Sequence, residues 1–180
     1  KDSNIASWNK SKKGDLDTAF ANSDMVVENE FSLPAVAHVP METHVAIVQV
    51  DPYSNKIRIW SSAQSPFAIR QIMADSFGIS ESDVEVHIPY VGGGFGGKAG
   101  IHLEPLAALL SKAAGGLPVK VRATREQEFN QLPTRAGMRG RIKTGVNLDG
   151  KINAVKAVYD WDSGAYADYG VNVGKTAVYS

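Results

Sequence analysis

The 180-residue sequence contains no cysteine. That absence excludes disulfides, thiolate zinc sites, cysteine nucleophiles and cysteine-ligated iron–sulfur clusters from this chain. Any redox chemistry must therefore run on a bound cofactor or in another domain. No stretch approaches the ~18 consecutive apolar residues of a membrane span. Net charge is also missing: 19 lysines and arginines balance 19 aspartates and glutamates, so bulk electrostatics offers no argument for nucleic acid or for an anionic membrane as partner. The polar start Lys1-Asp2-Ser3-Asn4 lacks the apolar core of a signal peptide, and a cytoplasmic location is the default expectation. With 43% hydrophobic and 21% charged residues the composition is that of a globular protein able to bury one sizeable core. The lysine start and the apolar end Val178-Tyr179-Ser180 suggest a piece of something larger.

Residues 1–15 are polar and read as a linker or arm. Leu16 to Ala21 suits a short helix, and Met25 to Phe31 a strand ending before Pro34. Two more strands follow, His44 to Val50 and Lys56 to Ser61, joined by the turn Asp51-Pro52-Tyr53-Ser54-Asn55. A helix then starts with Ser65 as cap and Pro66 at the first position, presents Ile69, Ile72, Met73 and Phe77, and stops at Gly78. Val84 to Val91 reads as a strand running into a glycine segment. The next helix, near His102 to Pro105, is expected to bury Leu103, Leu106, Ala107, Leu110 and Ala114 before Gly115-Gly116. Val119 to Ala123 is a short strand, and Thr124 to Gln127 has capping-box spacing. Gly140 to Val146 and Lys151 to Trp161 form a hairpin about Asn147-Leu148-Asp149-Gly150. Strands outnumber helices without strict alternation, so the fold class is α+β, a mixed sheet with packed helices.

The chemistry concentrates in Gly92-Gly93-Gly94-Phe95-Gly96-Gly97-Lys98. Five glycines around one aromatic free the backbone for positive φ and close approach to a ligand, and unpaired N–H groups there can converge on oxygens. Gly92 and Gly97-Lys98 match the spacing of a phosphate-binding P-loop, which would make this a nucleotide-binding module. Ala99 stands where that loop needs a Ser or Thr for magnesium, and Pro105 sets the helix start too far downstream.

The same segment resembles the molybdopterin loop of the xanthine dehydrogenase and aldehyde oxidase family, the molybdenum hydroxylases. The resemblance extends in order over nearly the whole chain. Gly14 to Phe20 with Val26-Val27-Glu28 resembles the entry into the first molybdenum-binding region. His38-Val39-Pro40-Met41-Glu42-Thr43-His44 is similar to the recurrent H-x-P-[LM]-E-x-H segment. Ser61 to Phe67 resembles the strand-end T-Q-x-P motif, and Asp160 to Tyr166 the D-x-G-A-Y stretch. Residues 16–180 then correspond to the first part of a larger molybdopterin-binding domain, truncated at its C-terminus. The resemblance implies an oxidoreductase that hydroxylates a heterocycle or aldehyde with water. Its cofactor is molybdopterin, with or without an attached cytosine nucleotide, and iron–sulfur clusters and FAD belong to other subunits or domains. The implied partners are the rest of the subunit, those redox subunits and a small-molecule substrate.

Carried over residue by residue, the resemblance makes Gln64 a side-chain donor to an oxygen ligand of molybdenum. It makes Phe95 a backbone N–H donor to the cofactor, with Gly94 and Gly96 adjoining. Ala99 falls in the substrate pocket, where xanthine-oxidising members usually carry a glutamate; alanine removes that contact and leaves room for a nicotinate-like ring or an aldehyde. Glu104 is a weak substitute for the missing carboxylate, and Lys98 reads as a solvated or helix-proximal charge. His38, Glu42 and His44 have the chemistry of metal ligands, but the resemblance accounts for the segment without a metal. The aromatics Tyr159, Trp161, Tyr166 and Tyr169 are expected in core or interface. No match occurs to the family's R-x-F-G loop or to its G-x-G-E motif with the catalytic base. No catalytic residue is therefore expected here, and the chain by itself is expected to be inactive; a non-catalytic accessory protein that keeps the fold is the remaining alternative.

Overall fold

The computed structural model describes residues 3–166 and 170–176. The chain divides into two units: residues 1–36 with 135–180, and residues 37–134. The α+β expectation holds.

The first unit is a three-stranded antiparallel sheet in the order β1-β8-β9, built from Met25–Leu33, Gly137–Val146 and Ile152–Asp162; the two-residue strands β2 and β7 are Val36–Ala37 and Thr134–Arg135. Met25 pairs with Val146 and the register runs unbroken to Leu33 opposite Met138. The β8–β9 hairpin turns where its sequence requires: Gly150 has φ +84°, and the Asn147 N–H donates to Lys151 O at 2.9 Å. Helix α1, Leu16–Ala21, is capped by Asp15, whose carboxylate accepts from the N–H groups of Asp17 and Thr18. Its Phe20 lies against Gly145, a position where a methyl group would come 3.2 Å from the ring. The expected cluster of aromatics is only partly present. Tyr159 and Trp161 are neighbours, Tyr166 is exposed, and Tyr169 lies outside the described residues.

The second unit carries the core. Its four-stranded sheet has the order β5-β4-β3-β6, from Val84–His87, Ile57–Ser61, Val45–Val50 and Val119–Arg122. β4 and β5 run parallel and the other pairs antiparallel. Period-two alternation sends Val48, Val50, Ile57, Ile59 and Val84 to one face, where α2 (Pro66–Phe77) and α3 (Glu104–Ala113) cover them. The sheet's other face carries rows such as Lys120, Ile47, Trp60 and His87, in which the Trp60 and His87 rings stack. Pro66 opens α2 and Gly78 ends it in the left-handed conformation, as expected, although the Ser65 side chain makes no cap bond. The capping box of Thr124 and Gln127 opens α4, Arg125–Asn130, with both of its bonds formed.

Two expectations are corrected. β5 stops at His87 instead of reaching Val91, because Pro89 has no N–H to give a ladder. Residues 88–91 are a connection that delivers the glycine segment. The second correction concerns α3: its buried side chains are Glu104, Ala107, Ala108 and Ser111, while Leu106, Leu109 and Leu110 are exposed. Small residues let the helix lie close on β3, and Ser111 ties it there, accepting from Val50 N–H at 3.0 Å and donating to Leu117 O at 2.7 Å. No helix among the described residues is long and apolar enough to cross a membrane.

This packing separates two apolar side chains that look alike in sequence. Met73→Ala, in the core, should cost ~2–5 kcal/mol by chemical denaturation. Leu109→Ala should change stability by no more than ~0.5 kcal/mol; equal losses would refute the assigned helix faces.

Candidate functional site

All the pieces of the site belong to the second unit. Gln64 lies three residues after the end of β4 and two before Pro66, so its backbone is fixed between a central strand and a helix start. Its side-chain Oε1 accepts the N–H of Gly96 at 3.0 Å and the N–H of Lys98 at 3.2 Å. Two donors converging on one amide atom require that atom to be the oxygen. The amide NH2 has no hydrogen-bond partner among the described residues, and Gln64 is exposed. The Gln64 main chain adds a bond, N–H to Lys98 O at 2.8 Å.

The glycine segment is a tight, internally bonded turn. Gly97 N–H donates to Gly94 O at 2.8 Å and Ala99 N–H to Gly96 O at 3.2 Å. Gly94 sits so close to Gln64 that a Cβ would overlap the amide, and a Cβ at Gly97 would lie 2.8 Å from His38 Nδ1. Phe95 carries a positive φ of 53°, a conformation costly for any residue with a Cβ. Its ring folds back over Gly93 near Pro40, and no protein group takes its N–H among the described residues. Val39, two residues before Met41, is also left-handed at φ +48°. Each such residue stores ~1–3 kcal/mol that surrounding contacts must hold.

Those contacts come from the segment 38–44. Glu42 N–H donates to Gly92 O at 3.1 Å, and Glu42 Oε2 accepts from Gly92 N–H at 2.8 Å and from Lys98 Nζ at 2.9 Å. The Ser62 hydroxyl donates to the same oxygen and itself accepts from Lys98 Nζ at 2.7 Å. His44 closes the far side: Nε2 meets Gly97 O at 2.9 Å, while Nδ1 and the His44 main-chain N–H both meet Glu128 Oε1. Arg125 binds the carbonyls of Pro40 and Met41 from α4, at 2.6 and 3.0 Å. The volume bounded by His44, Ser61, Ser62, Lys98 and Glu104 has no room for a water molecule.

The expected site residues are thus brought together, with several changes of role. Gln64, Gly94, Phe95 and Gly96 form one surface, but the Gly96 N–H is already committed to Gln64. Ala99 is 6% exposed, and its N–H closes on Gly96 O. Lys98 is not solvated; its side chain is 0% exposed and locked to Glu42. That geometry removes the P-loop alternative, since a phosphate-binding lysine must reach its ligand and α3 begins only at Glu104. Glu104 is also spoken for: Ser61 Oγ donates to it at 2.5 Å and His102 N–H at 2.9 Å. His38, Glu42 and His44 form no metal cluster among the described residues. Glu42, Ser62 and the His44–Glu128 pair were not expected as supports; the readable signal was a lone charge, Lys98, embedded between Gly97 and Ala99.

Electrostatics gives the Glu42 contacts a pH signature. Burial pushes the Glu42 pKa up, but the Ser62 hydroxyl, the Gly92 N–H and the Lys98 ammonium outweigh it and hold the carboxyl below the usual glutamate range. A group depressed in the folded state stabilises fully above its unfolded pKa, and that contribution is lost as pH falls through the folded value. Stability should therefore drop below the ordinary carboxylate range, about pH 4.3. In Glu42→Gln this component of the acid loss should vanish from denaturation curves measured against pH; an unchanged pH profile would count against the assignment.

The comparisons with known proteins agree with the geometry. The family model for the molybdopterin cofactor-binding domain matches residues 1–180. The xanthine dehydrogenase molybdenum-binding subunit of Escherichia coli O157:H7 is 31% identical over 170 residues, 94% of this chain and 22% of that subunit. The nicotinate dehydrogenase large molybdopterin subunit of Eubacterium barkeri is 32% identical over 169 residues, 94% of this chain and 39% of its own. The aldehyde oxidoreductase structure from Desulfovibrio gigas superposes with a TM-score of 0.80 at 25% identity, covering 90% of this chain and 18% of that one. The chain thus spans between about a fifth and two fifths of these relatives. Because the family model matches residues 1–180, the chain belongs to the molybdopterin cofactor-binding domain family.

Proposed function

We propose that the Gly92–Gly97 loop and Gln64 form one wall of the molybdopterin site in an oxidoreductase of the xanthine dehydrogenase and aldehyde oxidoreductase kind. The reading rests above all on Gln64: its oxygen is consumed by the loop, so its amide NH2 is left to donate outward. The Phe95 N–H is a second donor without a protein partner among the described residues, and Gly94 and Gly96 allow close backbone approach. A surface of N–H donors with its one lysine neutralised beneath fits an oxygen-rich ligand better than a cation. When bound, the cofactor supplies the two-electron and oxygen-transfer chemistry, and the chain's residues orient it.

On this reading the enzyme hydroxylates a heterocycle or an aldehyde with water as oxygen source. Ala99 carries no hydrogen-bonding side chain, which favours a nicotinate-like ring or an aldehyde over a purine. Nicotinate dehydrogenase and aldehyde oxidoreductase are among the relatives. The cofactor is molybdopterin, alone or as its cytosine dinucleotide. Iron–sulfur and flavin partners carry the electrons onward, in the cytoplasm, and the base that completes the reaction lies outside these residues.

The test uses the complete subunit, analysed for molybdenum and pterin. Gln64→Glu keeps an acceptor for the two loop N–H groups but loses the outward donor, so it should fold normally and hold less cofactor. Gln64→Ala removes both and should cost ~1–3 kcal/mol of cofactor or transition-state stabilisation. Unchanged molybdenum content and turnover in both variants would remove Gln64 from the site. A subunit that holds pterin yet oxidises no aldehyde or heterocycle would point to an accessory protein. The 180-residue chain alone should contain no molybdenum.

A further inference from the structure

Glu42 and Lys98 do something that ligand contact does not require. One carboxylate oxygen, Glu42 Oε2, accepts from Gly92 N–H at 2.8 Å and from Lys98 Nζ at 2.9 Å. Gly92 and Lys98 are the two ends of the glycine loop. The lysine is wholly buried, and its ammonium also donates to Ser62 Oγ, which in turn donates to Glu42. A free loop rich in glycine loses ~1–2 kcal/mol of backbone entropy per residue on ordering, more at glycine than elsewhere. Something must hold it, and holding it with charge has a cost: a buried ammonium without its partner is strongly destabilising, whereas removing both charges is tolerated far better.

We propose that the Glu42–Lys98 pair, bridged by Ser62, is an electrostatic latch that sets the shape of the loop before any ligand arrives. Both are positioning residues. They touch no cofactor; they fix the chain ends so that Gly96 and Lys98 present their N–H groups to Gln64 and the Phe95 N–H stays outward. The latch is neutral as a unit, so the loop meets an anionic or oxygen-rich ligand through N–H dipoles alone. Its relevance to a pterin rests on the function proposed above, whereas its effect on the loop does not.

The experiment compares Lys98→Met, Glu42→Gln, the double variant and the milder Ser62→Ala in the complete subunit, with Glu81→Gln as a surface control. Three quantities are read: the thermal midpoint, amide exchange at Gly92 and Gly96 in the cofactor-free protein, and loss of pterin from the loaded protein by its fluorescence. Each single latch variant should speed exchange and pterin loss about tenfold or more, Ser62→Ala less. The double variant should regain much of the midpoint while exchange and pterin loss stay fast, a split that a purely structural pair would not produce. If a single variant does not fold, Ser62→Ala carries the exchange measurement. Recovery of exchange and retention together with the midpoint, or unchanged exchange at Gly92 and Gly96 in every folded variant, would overturn the latch. Faster exchange in variants of a subunit that never holds pterin would sustain the latch and overturn the cofactor reading instead.

Discussion

One carboxylate oxygen organises the candidate site. Glu42 Oε2 accepts from the first residue of the glycine loop, from the buried lysine that ends it and from Ser62 on the strand end beside it. With Lys98 held there, its backbone N–H donates to the Gln64 side chain and its carbonyl accepts from the Gln64 main-chain N–H. The outward amide, the left-handed Phe95 and the close contact at Gly94 all depend on this arrangement. The lysine's charge is used up inside the protein, so the exposed surface offers hydrogen-bond donors without a cation.

The supports come from several separate stretches of the second unit. Segment 38–44 supplies Glu42 and His44, the connection from β4 to α2 supplies Ser62 and Gln64, and α4 supplies Glu128 and Arg125. Glu42, His44, Ser62 and Gln64 bond the loop directly, whereas Arg125 and Glu128 hold segment 38–44 in place. Glu128 reaches His44, and His44 reaches Gly97 O. A rigid sheet and a capped helix thus hold a loop whose own sequence would leave it free. Stored strain at Val39 and Phe95 has the same origin, since neither conformation would persist without these contacts.

Much of the fold was legible because its signals are local. Pro66 and Gly78 bound α2, Thr124 and Gln127 start α4, and Asn147 to Gly150 turn the hairpin through short-range chemistry that a few residues determine. The family resemblance singles out Gln64, Gly94, Phe95 and Gly96; that Gln64 lies against Gly94 and accepts the Gly96 N–H is long-range geometry with no local signal. Long-range partners were not legible. Met25 to Leu33 pair with residues more than a hundred positions away, which splits the chain into two units no composition shift announces. Lys98 looked solvated because its acceptor, Glu42, is 56 residues distant. The α3 face was misassigned because apolar periodicity favours leucines, whereas close approach to β3 needed Ala107, Ala108 and Ser111. The early end of β5 does have a local sign, Pro89.

The central claim is that protein side chains preform the loop, with the Gln64 amide and the Phe95 N–H left as outward donors. A crystal structure of the complete subunit loaded with molybdopterin, with molybdenum located by anomalous scattering, tests it most directly. The account predicts Gln64 Nε2 and the Phe95 nitrogen within hydrogen-bonding distance of cofactor oxygens. It also predicts the bonds from Gly96 and Lys98 to Gln64 Oε1, and from Gly92 and Lys98 to Glu42, unchanged from those described above. A cofactor bound away from this loop, or a loop rebuilt with Gln64 turned inward and Lys98 released toward the ligand, would contradict it.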